Sequence, residues 1–157
     1  MEPLFKSNTK YNYEEYKKFN YAITSSINKM PVKVVVIMLL FVLMAYMYMS
    51  RSIHVSLIML ICSIIFPVFL ILTIKNNIKR TYSSNKSMQD MDVNFEFYDE
   101  YFMYKCKIGD SKIEYKDLYI ILETKTNIYL MIAKNQGVIL KKENCSEDLM
   151  DFIRKMK

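Results

Sequence analysis

Glycine and histidine are scarce in this sequence, and each shortage excludes a kind of chemistry. The 157 residues include two glycines, Gly109 and Gly137, whereas phosphate-cradling loops need several glycines at fixed offsets. The single histidine, His54, stands beside a hydrophobic run. There we expect an interfacial polar residue rather than a general base, with proton sensing as the alternative. The sequence therefore predicts no P-loop, no dinucleotide-binding fingerprint and no histidine-based catalytic pair.

The cysteines and carboxylates point to no reaction either. The three cysteines form no CxxC pair and no Cys/His spacing typical of zinc. Cys106 alternates with aromatic residues and is expected to be buried, while Cys145 lies near a helix start that could lower its pKa. The Asp99–Glu100 pair stands where a β-hairpin needs turn residues. We expect a protein that is not an enzyme, with no catalytic residue, no metal site and no cofactor.

The formal net charge of +6 is concentrated next to the hydrophobic region. Residues 87–157 carry eleven positive and thirteen negative side chains, so the C-terminal part is slightly acidic. Its lysines are interspersed with carboxylates and form no basic stripe, as nucleic-acid binding would require. The sequence therefore predicts no nucleic-acid partner.

The longest apolar region runs from Pro31 to Ile74. At ~1.5 Å of rise per residue, its stretches Val34–Ser50 and Ile53–Ile74 would span roughly 26 and 33 Å as helices, close to the ~30 Å hydrocarbon thickness of a bilayer. Pro67 predicts a kink in the second helix. The short break at Arg51 makes the pair a tight transmembrane hairpin. Neither helix carries an internal charge, which argues against an autonomous transporter.

Basic residues on both sides of the hairpin predict its orientation. Lys29 and Lys33 precede it and the basic linker 75–90 follows it, whereas Arg51 is the one charge at its tip. By the positive-inside rule, we expect a multi-pass protein of the cell membrane with both termini in the cytoplasm. Four linker residues form a candidate contact with anionic lipid, which we call the basic cluster: Lys75, Lys79, Arg80 and Lys86.

The N-terminal arm, residues 1–30, is predicted to contain an amphipathic helix. Asn12 followed by Glu15 matches a helix-capping pattern, and an apolar stripe follows it. The stripe either packs on the rest of the protein or lies in the lipid interface. Alternation around Leu4–Ser7 suits a short edge strand. If that strand joins the C-terminal sheet, the hairpin is inserted into the domain; otherwise it is an appended anchor.

Residues 91–157 change to period-two alternation, which is typical of strands. Turn signals divide the region into five predicted antiparallel strands. A second capping pattern, Asn144 to Glu147, then predicts a terminal amphipathic helix. The fold class is thus an α+β membrane protein, in which a two-helix transmembrane hairpin accompanies a bent antiparallel sheet capped by a C-terminal helix.

The layout resembles that of the YcxB-like family of bacterial membrane proteins. The C-terminal segments that carry the resemblance are Tyr115–Leu118, Tyr129–Leu130, Leu140–Lys142 and Asp151–Ile153. The resemblance implies a pleckstrin-homology-like domain, a bent sheet with one open end plugged by the C-terminal helix. It implies no catalytic or ligand-binding residue.

Two functional hypotheses follow. The first is a non-enzymatic, membrane-anchored binding or adaptor module that displays its domain at the cytoplasmic face of a bacterial membrane. Its partners would be the lipid bilayer and an unknown protein or peptide, encountered at raised local concentration. The alternative is an immunity protein against a membrane-active bacteriocin or a similar peptide. Protection of a sensitive strain would distinguish the two.

Overall fold

A computed structural model describes residues 2–156 and divides them into two compact units. We call residues 28–81 the helical unit, and residues 2–27 together with 82–156 the sheet unit. The sheet unit is therefore built from two stretches of chain, with the helical unit between them in sequence.

The helical unit consists of two long apolar helices, α2 (Met30–Tyr48) and most of α3 (Ile53–Ser84). Both are long and apolar enough to cross a membrane by length and composition, with mean hydropathies of 2.3 and 3.0 in their most apolar windows. The hydroxyl of Ser56 donates a hydrogen bond of 2.8 Å to the backbone carbonyl of Ala45, which joins the two helices. Small side chains at such a contact let two backbones approach closely. The helix α3 continues through Pro67, and the kink there stays a prediction.

The first sheet contains strands from both stretches of the sheet unit. Its order is β1-β2-β3-β4, and all neighbours are antiparallel. The strand β1 pairs with β2 along its whole length, from Phe5 opposite Phe97 to Tyr11 opposite Met91. The residues around Leu4–Ser7 therefore do join the sheet, and the apolar helices are inserted between two paired strands. The four strands are β1 (Phe5–Tyr11), β2 (Met91–Phe97), β3 (Tyr101–Cys106) and β4 (Gly109–Glu114).

The second sheet has the order β5-β6-β7 and is also antiparallel. Its strands are β5 (Ile120–Glu123), β6 (Asn127–Ala133) and β7 (Gln136–Lys141). Six strands thus lie between residue 91 and the end of the described chain, and the predicted count of five was wrong. A 3-10 turn at Tyr115–Asp117 ends β4, so the apolar run that follows it is a separate strand.

The middle strand β6 is buried on both of its faces. Tyr129 and Leu130 point to opposite faces, yet each is 1% exposed. One face is covered by the helix α1 (Tyr13–Ala22), since the rings of Phe19 and Tyr129 lie 5.5 Å apart. The other packs into the aromatic core of the first sheet, which includes Phe95. The amphipathic helix therefore packs on the protein, which was one of its two predicted positions.

The terminal helix α4 (Glu147–Lys155) covers one end of the core. Leu149 is fully buried, and the ring of Phe152 lies 5.4 Å from that of Phe5 at the start of β1. The predicted cap at Asn144 was wrong. The hydroxyl of Ser146 accepts the hydrogen bond from the Leu149 N–H at 3.2 Å, while the Asn144 amide donates to the backbone of the first sheet.

Candidate functional site

The residues of the basic cluster are exposed, but they are divided between the two units. Lys75, Lys79 and Arg80 lie on α3, because residues 75–84 continue that helix. Lys86 begins a 3-10 turn in the sheet unit. Within residues 2–156, none of the four side chains takes part in an ion pair. Their charges are therefore free to meet an anionic partner.

The histidine and the acidic residues that could take part in catalysis lie far apart in the sequence and in different elements. His54 is an exposed residue in the first turn of α3, and Asp99–Glu100 forms the tight connection between β2 and β3, as predicted. Among the described residues, no group of three or more histidine, cysteine, aspartate or glutamate side chains could hold a metal ion. These side chains form no shared site.

The two C-terminal cysteines differ from expectation. Cys106 is only half-buried, since it lies at the end of β3. The pKa of Cys145 is raised, because burial outweighs the hydrogen bond between its thiol and the Ser7 hydroxyl. The predicted lowering was wrong because the helix begins two residues later, at Glu147, and the thiol packs against the first sheet instead.

A buried carboxylate joins α1 to the second sheet, and the sequence pattern did not reveal it. Glu15 is 3% exposed, accepts a hydrogen bond of 2.8 Å from the Lys18 ammonium and another from the Asn127 amide, and has the Lys141 ammonium at 3.8 Å. Burial raises the pKa of Glu15, but these hydrogen bonds and charges outweigh it and leave the pKa below its usual range. The sequence did contain one indication that Glu15 is buried: it precedes Phe19, a residue of the apolar stripe, by one helical turn.

An apolar groove opens at the end of the core opposite α4. Its volume is about 460 Å³, and it lies where β1 ends and where the β3–β4 and β6–β7 hairpins turn. We call it the open-end groove. The residues that line it are Tyr11, Met88, Met91, Val93, Tyr104, Cys106, Ile108, Gly109, Asp110, Ser111, Ile132, Gln136, Gly137 and Val138.

Most of the side chains that line the groove are uncharged. Its volume is typical of small-molecule and apolar-segment sites. Asp110 is the one side chain among its described lining residues that is charged at neutral pH, so no pair of charged groups lines the groove. The Tyr11 hydroxyl accepts a 2.8 Å hydrogen bond from the Ile139 N–H, which ties β1 to β7 beside the groove. The pKa of Tyr11 is strongly raised by burial, so this hydroxyl stays neutral.

The last turn of α3 is held close to the same groove. The side-chain amide of Gln89, which follows Met88, donates hydrogen bonds of 3.0 and 3.1 Å to the carbonyls of Tyr82 and Ser83. The ring of Tyr82 also lies 5.5 Å from that of Tyr13. Within the sheet unit, these contacts hold the end of α3 against the segment that contains Met88.

Comparison with known proteins gives one informative match. No curated protein and no solved structure matches the chain. The model of the YcxB-like protein family matches residues 97–157. This segment begins at the last residue of β2 and includes β3 to β7 and α4. The resemblance predicted from the C-terminal motifs is thus confirmed over this segment, which is where the family model matches.

Proposed function

We propose that this protein is a non-enzymatic binding module anchored in a bacterial membrane by its helical unit. The observation that carries the proposal is the exposure of α2 and α3. Only 6% of the most apolar window of each helix is buried, and Leu39, Ile64 and Phe69 are each more than 60% exposed. Core helices of soluble proteins bury such surfaces, and exposed apolar patches of this extent favour lipid or a partner.

The charges flanking the helices support an orientation with both termini in the cytoplasm. Lys33 precedes the apolar part of α2, and Lys75, Lys79 and Arg80 follow that of α3, against Arg51 alone between the helices. In this orientation the sheet unit lies at the cytoplasmic face. The basic cluster would then lie near anionic headgroups, where each cation contributes about 1 kcal/mol.

The strand arrangement supports a pleckstrin-homology-like fold for the sheet unit. Sheets of four and three antiparallel strands enclose one core, and α4 covers one of its ends. Folds of this kind present loops and an open end for recognition, and the open-end groove offers such a surface here. The function assigned by the proposal is therefore to hold a recognition surface at the membrane.

Flotation with vesicles after alkaline carbonate washing tests the anchor, and protease access to tags at the two ends tests the orientation. We expect the protein to float, with both tags accessible only from the cytoplasmic side. Recovery in the soluble fraction would refute the anchor, and a tag accessible from outside would refute the orientation.

The lipid contact has its own test. Replacing the basic cluster by glutamine should reduce the phosphatidylglycerol retained by the protein in mild detergent several-fold. The matched control replaces four exposed lysines elsewhere by glutamine: Lys6, Lys112, Lys116 and Lys125. Equal retention by the two variants would remove the cluster from the proposal. The immunity alternative stays a prediction, which expression in a bacteriocin-sensitive strain tests.

A further inference from the structure

We propose that the open-end groove docks onto the anionic surface of the same bilayer that holds the helical unit. Ile108 and Ile132 enter the boundary between headgroups and acyl chains, and Lys107 and Lys134 lie beside lipid phosphates. The inference rests on the proposed function, because it requires the sheet unit to be tethered to a membrane.

Two hairpin tips bring apolar side chains to this end. The β3–β4 turn carries Ile108, which is 62% exposed, and Ile132 near the β6–β7 turn is 36% exposed. Both residues line the groove, together with Met88 and Met91. Two exposed isoleucines thus lie at the mouth of one groove. Leu4 near the start of β1, and Tyr119 and Ile120 at the start of β5, are also exposed but do not line it.

Each apolar tip has a lysine beside it. Lys107 and Lys134 are exposed and take part in no ion pair among the described residues. A cation next to an inserted apolar side chain is the arrangement that interfacial membrane-binding segments use. Asp110 lines the same groove and opposes part of the electrostatic attraction. The isoleucines therefore supply most of the binding, and the lysines supply the preference for anionic lipid.

A short stretch of chain connects the sheet unit to the proposed membrane segment. Seven residues lie between Ile74, the last apolar residue of the hydrophobic run, and Tyr82. The distance from Ile74 to Tyr82 is at most about 29 Å even when the chain is fully extended. Gln89 binds the carbonyl of Tyr82, and Met88 beside it lines the groove. Docking is thus intramolecular, and a short tether gives it an effective concentration in the millimolar range.

A tryptophan reporter tests the docking, because the chain contains no tryptophan of its own. Asn135→Trp places an indole at the exposed β6–β7 turn, and the full chain is reconstituted in vesicles that contain lipids brominated in the upper acyl chain. We expect strong quenching of this reporter and none of a Lys125→Trp reporter, which marks the turn at the other end of β6.

Substitutions made with the Asn135→Trp reporter identify the side chains responsible. Ile108→Ser and Ile132→Ser should each lower the ratio of docked to undocked protein about tenfold, and together remove the quenching. Leu4→Ser, the matched control, should leave it unchanged. Lys107→Gln with Lys134→Gln should abolish the difference between vesicles with phosphatidylglycerol and vesicles of phosphatidylcholine alone.

The outcomes separate this inference from the proposed function. Protein that floats with vesicles while its reporter stays unquenched refutes the docking and leaves the anchor intact. Protein that does not float refutes the anchor. The docking role of the two isoleucines would also be refuted if Ile108→Ser and Ile132→Ser leave the quenching unchanged while the circular dichroism spectrum is preserved. Quenching that disappears at one copy per vesicle would assign the groove to a second copy of the chain.

Discussion

Replacing Glu15 by alanine should destabilise the sheet unit by about 3 kcal/mol. The Asn127 side chain, which is 1% exposed, donates its hydrogen bond to the Glu15 carboxylate. Without this acceptor the buried amide is left unsatisfied, at a cost of about 1–3 kcal/mol. The substitution also removes one buried methylene group from the contact between α1 and β6, which contributes about 0.8 kcal/mol.

Two further variants divide this effect into its parts. Glu15→Gln keeps an acceptor for Asn127 but removes the charge facing Lys18 and Lys141, which can turn to water, so we expect a cost of about 1–2 kcal/mol. Glu14→Ala is the matched control on the same helix. Its side chain is 62% exposed and pairs with Lys17, so its loss should cost less than about 0.5 kcal/mol.

Urea unfolding in mild detergent, followed by tyrosine fluorescence and far-UV circular dichroism, measures these differences. The pKa of Glu15 is lower in the folded protein than its ordinary value of 4.5. The stability that Glu15 contributes is therefore present above pH 4.5 and is lost as the pH falls below that value. In the Glu15→Gln variant, the free energy of unfolding should consequently change less with acid. A Glu15→Ala variant no less stable than Glu14→Ala would refute the reasoning.

Three other predictions concern the sheet unit. Hydrogen bonds from Arg154 and Lys142 lower the pKa of Glu123 to about 2, so the stability that Glu123 contributes is present above pH 4.5 and is lost as the pH falls toward 2. Glu123→Gln should lower the free energy of unfolding at pH 7 by about 1 kcal/mol, a small amount because the site is partly exposed. Acid titration of the circular dichroism signal measures this difference. Tyr11→Phe removes the acceptor of the Ile139 N–H and should cost about 2 kcal/mol, with faster hydrogen exchange at that amide. Replacing residues 28–81 by a flexible Gly/Ser linker should yield a folded, soluble sheet unit by NMR, whereas residues 91–157 alone should not fold because β2 lacks its partner β1.

The first prediction is contradicted if Glu123→Gln and the exposed Glu143→Gln change the acid titration equally. The second is contradicted if hydrogen exchange at the Ile139 amide is unchanged in Tyr11→Phe. The third is contradicted if the fragment 91–157 folds. Each readout reports on a different contact. A failure of one therefore leaves the other two standing.

The starts of α1 and α4 show which helix caps can be predicted from local sequence and which cannot. The Asn12 cap of α1 was predicted correctly, because a cap needs only a side chain and an N–H three residues apart. The same pattern at Asn144 was wrong, since Ser146 offers an equally good cap and Asn144 binds the carbonyl of Asn8. That choice depends on a strand more than a hundred residues away.

The candidate site was harder to foresee than the strands that form it. Alternation indicated the strands on either side of the groove, but it did not show that Ile108 and Ile132 would be exposed near two neighbouring turns. The groove lies at the end of the core that α4 does not cover, which is a property of the assembled sheets. Burial of Glu15 likewise needed Asn127 from β6 as its partner, which no local pattern specifies.

The sequence alone determined the properties that depend on neighbouring residues and composition: the two long apolar helices, the positions of most strands, the basic residues that flank the helices and the resemblance to the YcxB-like family. Tertiary structure decided which distant segments meet. It paired β1 with β2 across residues 12–90, so the apolar helices are inserted into the sheet unit and not appended to it. Strand pairing depends on backbone hydrogen bonds and shared burial between remote segments, and period-two patterns give the face of each strand but not its partner.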